Sequence, residues 1–165
     1  MKMTYGNEYE IKNKLAECCR TLGVLEELFE DTVVQFSNRM TSCMGKAYRN
    51  HHTMTFSTPL FIRATEGERE QTVVHEIAHL MTFHIFGLNN GVKGHGKEWK
   101  KIMRLLGKNP DRCHNVDNSD IRRKVQRVEA KCNCQTFQIT KTRATKMRNG
   151  STYRCRSCKT TLVLC

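Results

Sequence analysis

His75, Glu76 and His79 stand in the pattern H-E-x-x-H, which carries a chemical meaning only if the segment is helical. On an α-helix a separation of four residues returns to nearly the same face, so both imidazoles can reach one metal ion and Glu76 lies beside it. Two histidines, a third protein ligand from elsewhere and an open fourth position describe a catalytic zinc site, whereas a structural site is closed by four protein ligands. Glu76 is then the expected general base, drawing a proton from water that zinc activates. A second group, Cys132, Cys134, Cys155 and Cys158, falls in two close pairs about twenty residues apart. Four thiolates on two knuckles of a hairpin make a zinc ribbon, a closed site that holds together a segment too poor in apolar residues for its own core. The expected cofactor is zinc in two places, one catalytic and one structural.

The third ligand of the histidine site must come from downstream. His84, five residues after His79, is turned off the shared face. Ile85 stands where the pattern H-E-x-x-H-x-x-G-x-x-H requires its last histidine, which excludes the metzincins. His95 is the better candidate, because Asn89, Asn90, Gly91 and Gly94 break the chain and let it double back before His95-Gly96 opens another helix. Glu98 is a weaker rival, and His114 weaker still. Cys113 sits beside His114 without neighbours that would complete a site.

The elements that must position these residues can be read from pattern and caps. Thr65 followed by Glu68 forms a capping box ahead of a helix over 66–86, whose Val73, Val74, Ile77, Ala78, Leu80 and Met81 predict burial. An amphipathic helix is predicted over 8–22, stopped at Gly23, with Ile11, Leu15 and Leu22 on one side and Cys18 and Cys19 buried or half-buried. A helical turn over 25–29 follows, then a strand from Val33 to about Met40, a turn at Gly45 and a second strand over 52–57. The two strands predict a small antiparallel sheet for the metal-site helix to pack on. A further helix is predicted over 97–106. In the ribbon, residues 136–140 read as a strand and Asn149-Gly150 as a hairpin turn.

HEIAH, then His95 between glycines in GHGKEW, then KKIMRLLG, resembles the SprT-like metalloprotease domain, the family that includes Spartan-type DNA–protein crosslink proteases. The upstream SNRMTSCMGKA and TMTFST, and the downstream C-x-C and C-x-x-C, resemble other parts of bacterial SprT proteins, so the likeness runs from about Val33 onward. It implies an α+β chain: a zincin-like metalloprotease domain over 1–109, helices packed on a small antiparallel sheet, a basic connection over 110–130, and a C-terminal zinc ribbon over 131–165. In such folds an edge strand commonly receives the substrate chain, and MTFST is the local candidate for it. Tyr48 and Arg63 are candidates for an oxyanion contact.

Composition bounds the rest. No apolar run approaches the ~20 residues that span a bilayer, so no membrane partner is expected. The N-terminal MKMTYGNEYE has no apolar h-region, which places the nine cysteines in a reducing, cytoplasmic setting, nucleoid-associated if DNA is the partner. The net charge of +12 is unevenly spread: residues 1–96 hold ten Lys/Arg against eleven Asp/Glu, and residues 97–165 hold eighteen against five. Segregated basic charge points to a polyanion, most simply DNA. The candidate contacts are Arg122, Arg123, Lys124 and Arg127 ahead of the ribbon, and Lys141, Arg143, Lys146, Arg148, Tyr153, Arg154 and Arg156 within it, where cations and an aromatic ring suit phosphate tracking with occasional stacking. The reading is a zinc endopeptidase, expected as a monomer, acting on DNA-bound or DNA-crosslinked proteins. The alternative is a non-catalytic zinc- and nucleic-acid-binding accessory factor in transcription or stress response, against which Glu76 argues, since a purely structural site needs no such carboxylate.

Overall fold

The computed structural model describes residues 4–48, 52–87, 92–111, 116–122 and 124–165, in two compact units, 1–122 and 123–165. Unit 1 opens with α1, Glu8–Leu22. The Asn7 side chain accepts from the Glu10 N–H at its start, and at its end Gly23, at φ 67°, donates its N–H to the Arg20 and Cys19 carbonyls. Its inner face buries Ile11, Leu15, Cys18 and Cys19. A 3-10 turn, Glu26–Phe29, leads into the sheet.

That sheet has three strands, β1 (Val33–Ser37), β2 (Gly45–Tyr48) and β3 (Thr53–Ser57), in the order β1-β3-β2. The expected antiparallel pairing is corrected here. β1 runs parallel to β3, with Val33 opposite Thr53 and Phe36 opposite Phe56, while β2 runs antiparallel to β3, with Gly45 opposite Phe56. β2 was expected only as a turn, and by intervening it lets β3 return between β1 and itself. β3 is therefore central, with Met54 and Phe56 fully buried.

Ser57 ends β3 and caps the next helix, accepting from the Leu60 N–H at 3.2 Å while its hydroxyl donates to the Met40 carbonyl. With Pro59 in the first turn this starts α2, Thr58–Arg63, a helix the sequence reading does not contain. α3, Glu66–Phe86, begins at the predicted capping box: Thr65 N–H donates to Glu68 Oε2 at 2.8 Å, and Glu68 N–H to Thr65 Oγ1 at 3.3 Å. Val73, Val74, Ile77, Ala78, Leu80 and Met81 are all buried, as their spacing predicts. α4, Lys97–Leu105, turns Trp99, Ile102 and Met103 into the same core.

The chain after α4 is tied down by polar contacts. Lys108 pairs with Glu70 at 2.8 Å, Gln71 donates to the Asn109 carbonyl at 2.6 Å, and Asn118 donates to the Thr41 carbonyl at 3.0 Å. Arg63 grips Asp120 with two parallel bonds of 2.6 and 2.7 Å, and Val116 and Ile121 pack against the core.

Unit 2 is a second three-stranded sheet, β4 (Arg127–Lys131), β5 (Thr136–Thr140) and β6 (Val163–Leu164), in the order β5-β4-β6. β4 and β5 pair antiparallel from Arg127–Thr140 to Lys131–Thr136, so Cys132 and Cys134 occupy the turn between them. The expected hairpin closed at Asn149-Gly150 is replaced by a helix, α5 (Lys141–Arg148), capped by Thr140 and left at Gly150 with φ 92°. Among the described residues no helix is long and apolar enough to cross a membrane.

Candidate metal centre

α3 carries His75 and His79 on one face, and the loop before α4 brings His95 back to them. Their ring nitrogens lie within 4.8 Å of one another, with His75 Nε2 and His95 Nε2 at 3.0 Å. Nitrogens bound to one tetrahedral zinc at 2.0–2.1 Å would stand about 3.3 Å apart, so the three donors fit a shared ion. Burial pushes His75 down to about 4, and the neighbouring His95 adds to the effect, while a hydrogen bond to the Asp111 backbone opposes it. His75 is therefore a neutral imidazole at physiological pH, the form that coordinates a metal.

Trp99 packs behind all three rings. Its centroid is 4.7 Å from His75, 5.5 Å from His79 in a stacked arrangement and 4.7 Å from His95, and its Nε1–H points to the His75 carbonyl at 3.4 Å. The indole is fully buried. A rigid aromatic wall of this kind fixes the ring orientations that three converging ligands need.

Glu76 lies against β2, where its carboxyl meets Gly45 and the Ala47 backbone. It is 6% exposed, and burial pushes its carboxyl up to about 8 against the Ala47 backbone N–H, which lowers it. Gly45 makes that seat possible: a Cβ there would stand 2.7 Å from Glu76 Cγ and Oε1. The sequence marked Gly45 as a turn, but its requirement is close approach. Trp99 was given no role by the sequence, although it lies four residues after His95 in GHGKEW.

These groups border a cavity of about 1030 Å³ lined on one side by β2 and on another by Asn109, Asp111, Val116, Asn118 and Arg122. Tyr48 and Cys43 also line it; Arg63 does not, and is committed to Asp120. His84 packs its ring against Phe29 at 5.4 Å, and Glu98 is not among the clustered donors. Cys113, His114, Arg123 and the turn over 89–91 lie outside the described residues.

In unit 2 the four cysteine sulfurs also lie within 4.8 Å of one another. Cys132 to Cys134 is 3.3 Å and Cys134 to Cys155 is 3.7 Å, against about 3.8 Å for thiolates on a tetrahedral zinc at 2.3 Å. The Thr160 hydroxyl, 2.9 Å from Cys158, and the Thr160 backbone pull that thiol down to about 6, and the Cys158 backbone N–H lowers Cys155. Cys134 is pushed up to about 12 by the crowding sulfurs, Cys132 first. Four sulfurs gathered at these distances, two of them drawn toward the thiolate, fit zinc.

The predicted nucleic-acid residues are divided between the units. Arg122 lines the cavity of unit 1. Lys124, Arg127, Lys141, Arg143, Lys146, Arg148, Tyr153, Arg154 and Arg156 belong to unit 2, where the Arg143 guanidinium lies 5.2 Å over the Tyr153 ring and Arg127 donates to the Gln138 carbonyl at 3.1 Å.

The family model described as SprT-like family matches residues 20–125. Protein SprT of Pseudomonas fluorescens (strain Pf0-1) is 38% identical over 122 residues, 72% of this chain and 72% of that one. Protein SprT of Vibrio atlanticus (strain LGP32) is 31% identical over 158 residues, 94% of this chain and 92% of that one, so the likeness takes in the cysteine unit. The metallopeptidase zymogen of Pyrococcus abyssi abylysin covers 60% of this chain and 97% of its own at 17% identity and a TM-score of 0.36, a likeness too loose to carry any conclusion.

Proposed function

Because the chain belongs to the SprT-like family, we propose that it is a zinc-dependent endopeptidase acting on DNA-bound or DNA-crosslinked proteins. The convergence of His75, His79 and His95 beside Glu76, on the wall of one cavity, is the observation that carries this reading. These histidines would hold the catalytic zinc, and Cys132, Cys134, Cys155 and Cys158 a structural one. Bound zinc would supply a Lewis acid that polarises a carbonyl and renders water acidic enough to ionise near neutral pH.

The chain's own residues do the rest. Glu76 receives the proton of the attacking water at its carboxylate and returns it to the leaving amine. Zinc held by the three histidines would oppose the rise that burial causes in the Glu76 carboxyl and so favour its ionised form. The peptide is laid along β2, the edge strand that lines the cavity, with main-chain bonds as an added strand. That replaces MTFST, since β3 is paired on both edges. DNA-bound substrates are favoured by the resemblance and by the basic charge gathered after residue 97.

Glu76→Gln tests the reading. The amide is nearly isosteric and ligates nothing, so fold, zinc content and DNA affinity should persist while cleavage of a DNA-bound protein falls by about 10²–10⁴. Equal cleavage by wild type and variant, both loaded with zinc, would leave the accessory-factor reading in its place.

A further inference from the structure

α4 carries a charge pattern that the histidine site does not use. Lys97, Lys100, Lys101 and Arg104 fall at i, i+3, i+4 and i+7, and all four are exposed while Trp99, Ile102 and Met103 turn inward. They form one stripe along the outer face of the helix. Lys97 comes no nearer than 3.9 Å to Glu98, and among the described residues Lys100, Lys101 and Arg104 make no ion pair. Exposed Lys93 precedes the stripe in the loop that carries His95.

Helix physics disfavours this arrangement as a merely solvated surface. Each like-charged pair at i,i+3 or i,i+4 weakens the helix, and Lys97 in the first turn stands against the helix dipole. α1 is built in the opposite way, with Glu8 and Glu10 in its first turn, Lys12 paired to Glu8 at 3.0 Å and Lys14 to Glu17 at 3.0 Å. The stripe spans about 10 Å, which covers about three phosphates of one nucleic-acid strand. A membrane surface would call for apolar side chains among the cations, and Leu105 at the far end is the one exposed apolar residue of the nine.

We propose that the outer face of α4 is a docking surface for the phosphate backbone of nucleic acid, carried by the metal-site unit itself. It rests on the nucleic-acid half of the proposed function and adds that unit 2 does not hold DNA alone. Phosphate contacts and His95 then sit on one helix and its entry loop, so a strand bound along α4 is held next to the metal centre by unit 1 itself.

The test compares full-length wild type with K97Q/K100Q/K101Q/R104Q and with R143Q/K146Q/R148Q in unit 2. Glutamine matches lysine in helix propensity, so α4 should persist, checked by zinc content and Trp99 emission. Binding of a short fluorescent DNA, single-stranded and duplex, is followed across about 50–200 mM salt. The α4 variant should bind at least about tenfold more weakly, with a log–log salt slope smaller by about two to four. A slope equal to wild type, with loss only in the unit 2 variant, overturns the α4 surface and leaves the DNA reading standing. Failure of wild type to bind DNA fells that reading itself. Loss of binding to phosphatidylserine vesicles or polyglutamate, with DNA affinity intact, would assign α4 to a membrane or an acidic protein and overturn the proposal.

Discussion

Gly45 and Glu76 form a contact in which one missing carbon positions the expected base. An added Cβ 2.7 Å from Glu76 Cγ and Oε1 must move the carboxylate or strand β2, because Glu76 is enclosed and held by the Ala47 N–H. Gly45→Ala is expected to lower stability by about 1–3 kcal/mol and cleavage by about 10², with zinc content retained. Gly67→Ala is the control: nothing lies within 4 Å of its Cβ in the first turn of α3, so stability should rise by about 0.4–1 kcal/mol. Thermal melts and peptidase rates on the pair check both signs, and a Gly45→Ala protein as active as wild type would show that this close contact does not position Glu76 for catalysis. Trp99 gives a second handle, being the only tryptophan in the chain and in ring contact with all three histidines. Loading with Cu²⁺ should quench its emission while d¹⁰ zinc should not, and His95→Ala should abolish the quenching at equal metal concentration. Quenching that survives His95→Ala would remove His95 from the ligand set.

The elements that sequence made legible are those whose signals are local. α1, α3 and α4 fall within a residue of their expected bounds because each has one strong local boundary, Gly23 after α1, the Thr65–Glu68 capping box before α3 and Gly96 before α4. The sheet order was not legible: β2 is four residues long, GKAY, with neither side fully buried, and the parallel β1–β3 pairing depends on contacts twenty residues apart. α5 was missed for a related reason. KTRATKMR buries Ala144 and half-buries Met147, which is too little apolar pattern to outweigh an Asn-Gly turn signal. The histidine cluster was legible because three of its parts are local to one helix and its loop; the Asp111 contact to His75 was not, since it comes from a chain segment with no regular structure. Packing between elements also sets a pH dependence. Burial pushes Glu70 up, but Lys108 and Lys14 together hold it below its ordinary 4.5, and the Thr4 backbone N–H lowers Glu10 likewise. A carboxyl lowered in the fold stabilises above its unfolded pKa and loses that stabilisation as pH falls through the folded value. Stability should therefore decline below about pH 4.5, and Glu70→Gln should show a lower plateau near neutrality with a shallower acid decline. Parallel acid slopes for the two proteins in thermal melts would show that α1, α3 and the chain after α4 are not coupled through Glu70.

At the scale of the whole molecule, the two units differ in what holds them together. Unit 1 runs to Arg122 and not to the expected boundary at Asn109, because Val116 and Ile121 complete its core and Asp111 supports His75. It buries more than twenty apolar side chains around Trp99, Phe56 and Ile77, enough for a fold that does not depend on metal. Among its described residues unit 2 gathers only Ala130, Ile139 and Ala144 into a core cluster, with Val128, Phe137, Met147 and Leu164 partly covered, and buries Cys155 and Leu162 apart from it. A segment of that size lacks the core to fold alone, and on the proposed reading zinc held by the four thiolates would supply the missing free energy. Two zinc ions per chain are therefore expected, and they should part company under a chelator. The histidine site, with an open position, should empty first and leave unit 1 folded; the thiolate site should empty later and take unit 2 with it. Hydrogen exchange read alongside elemental analysis separates the steps. With one zinc remaining, amides of α3 and of the β4–β5 ladder should both stay protected. With none remaining, protection should vanish over 127–140 and survive in α3. Cys158→Ser should give that second state without chelator, with one zinc bound and the unit 2 contribution to DNA affinity gone. A β4–β5 ladder that keeps its protection after the second zinc has left would show that unit 2 folds without metal, and that the four cysteines serve something other than structure.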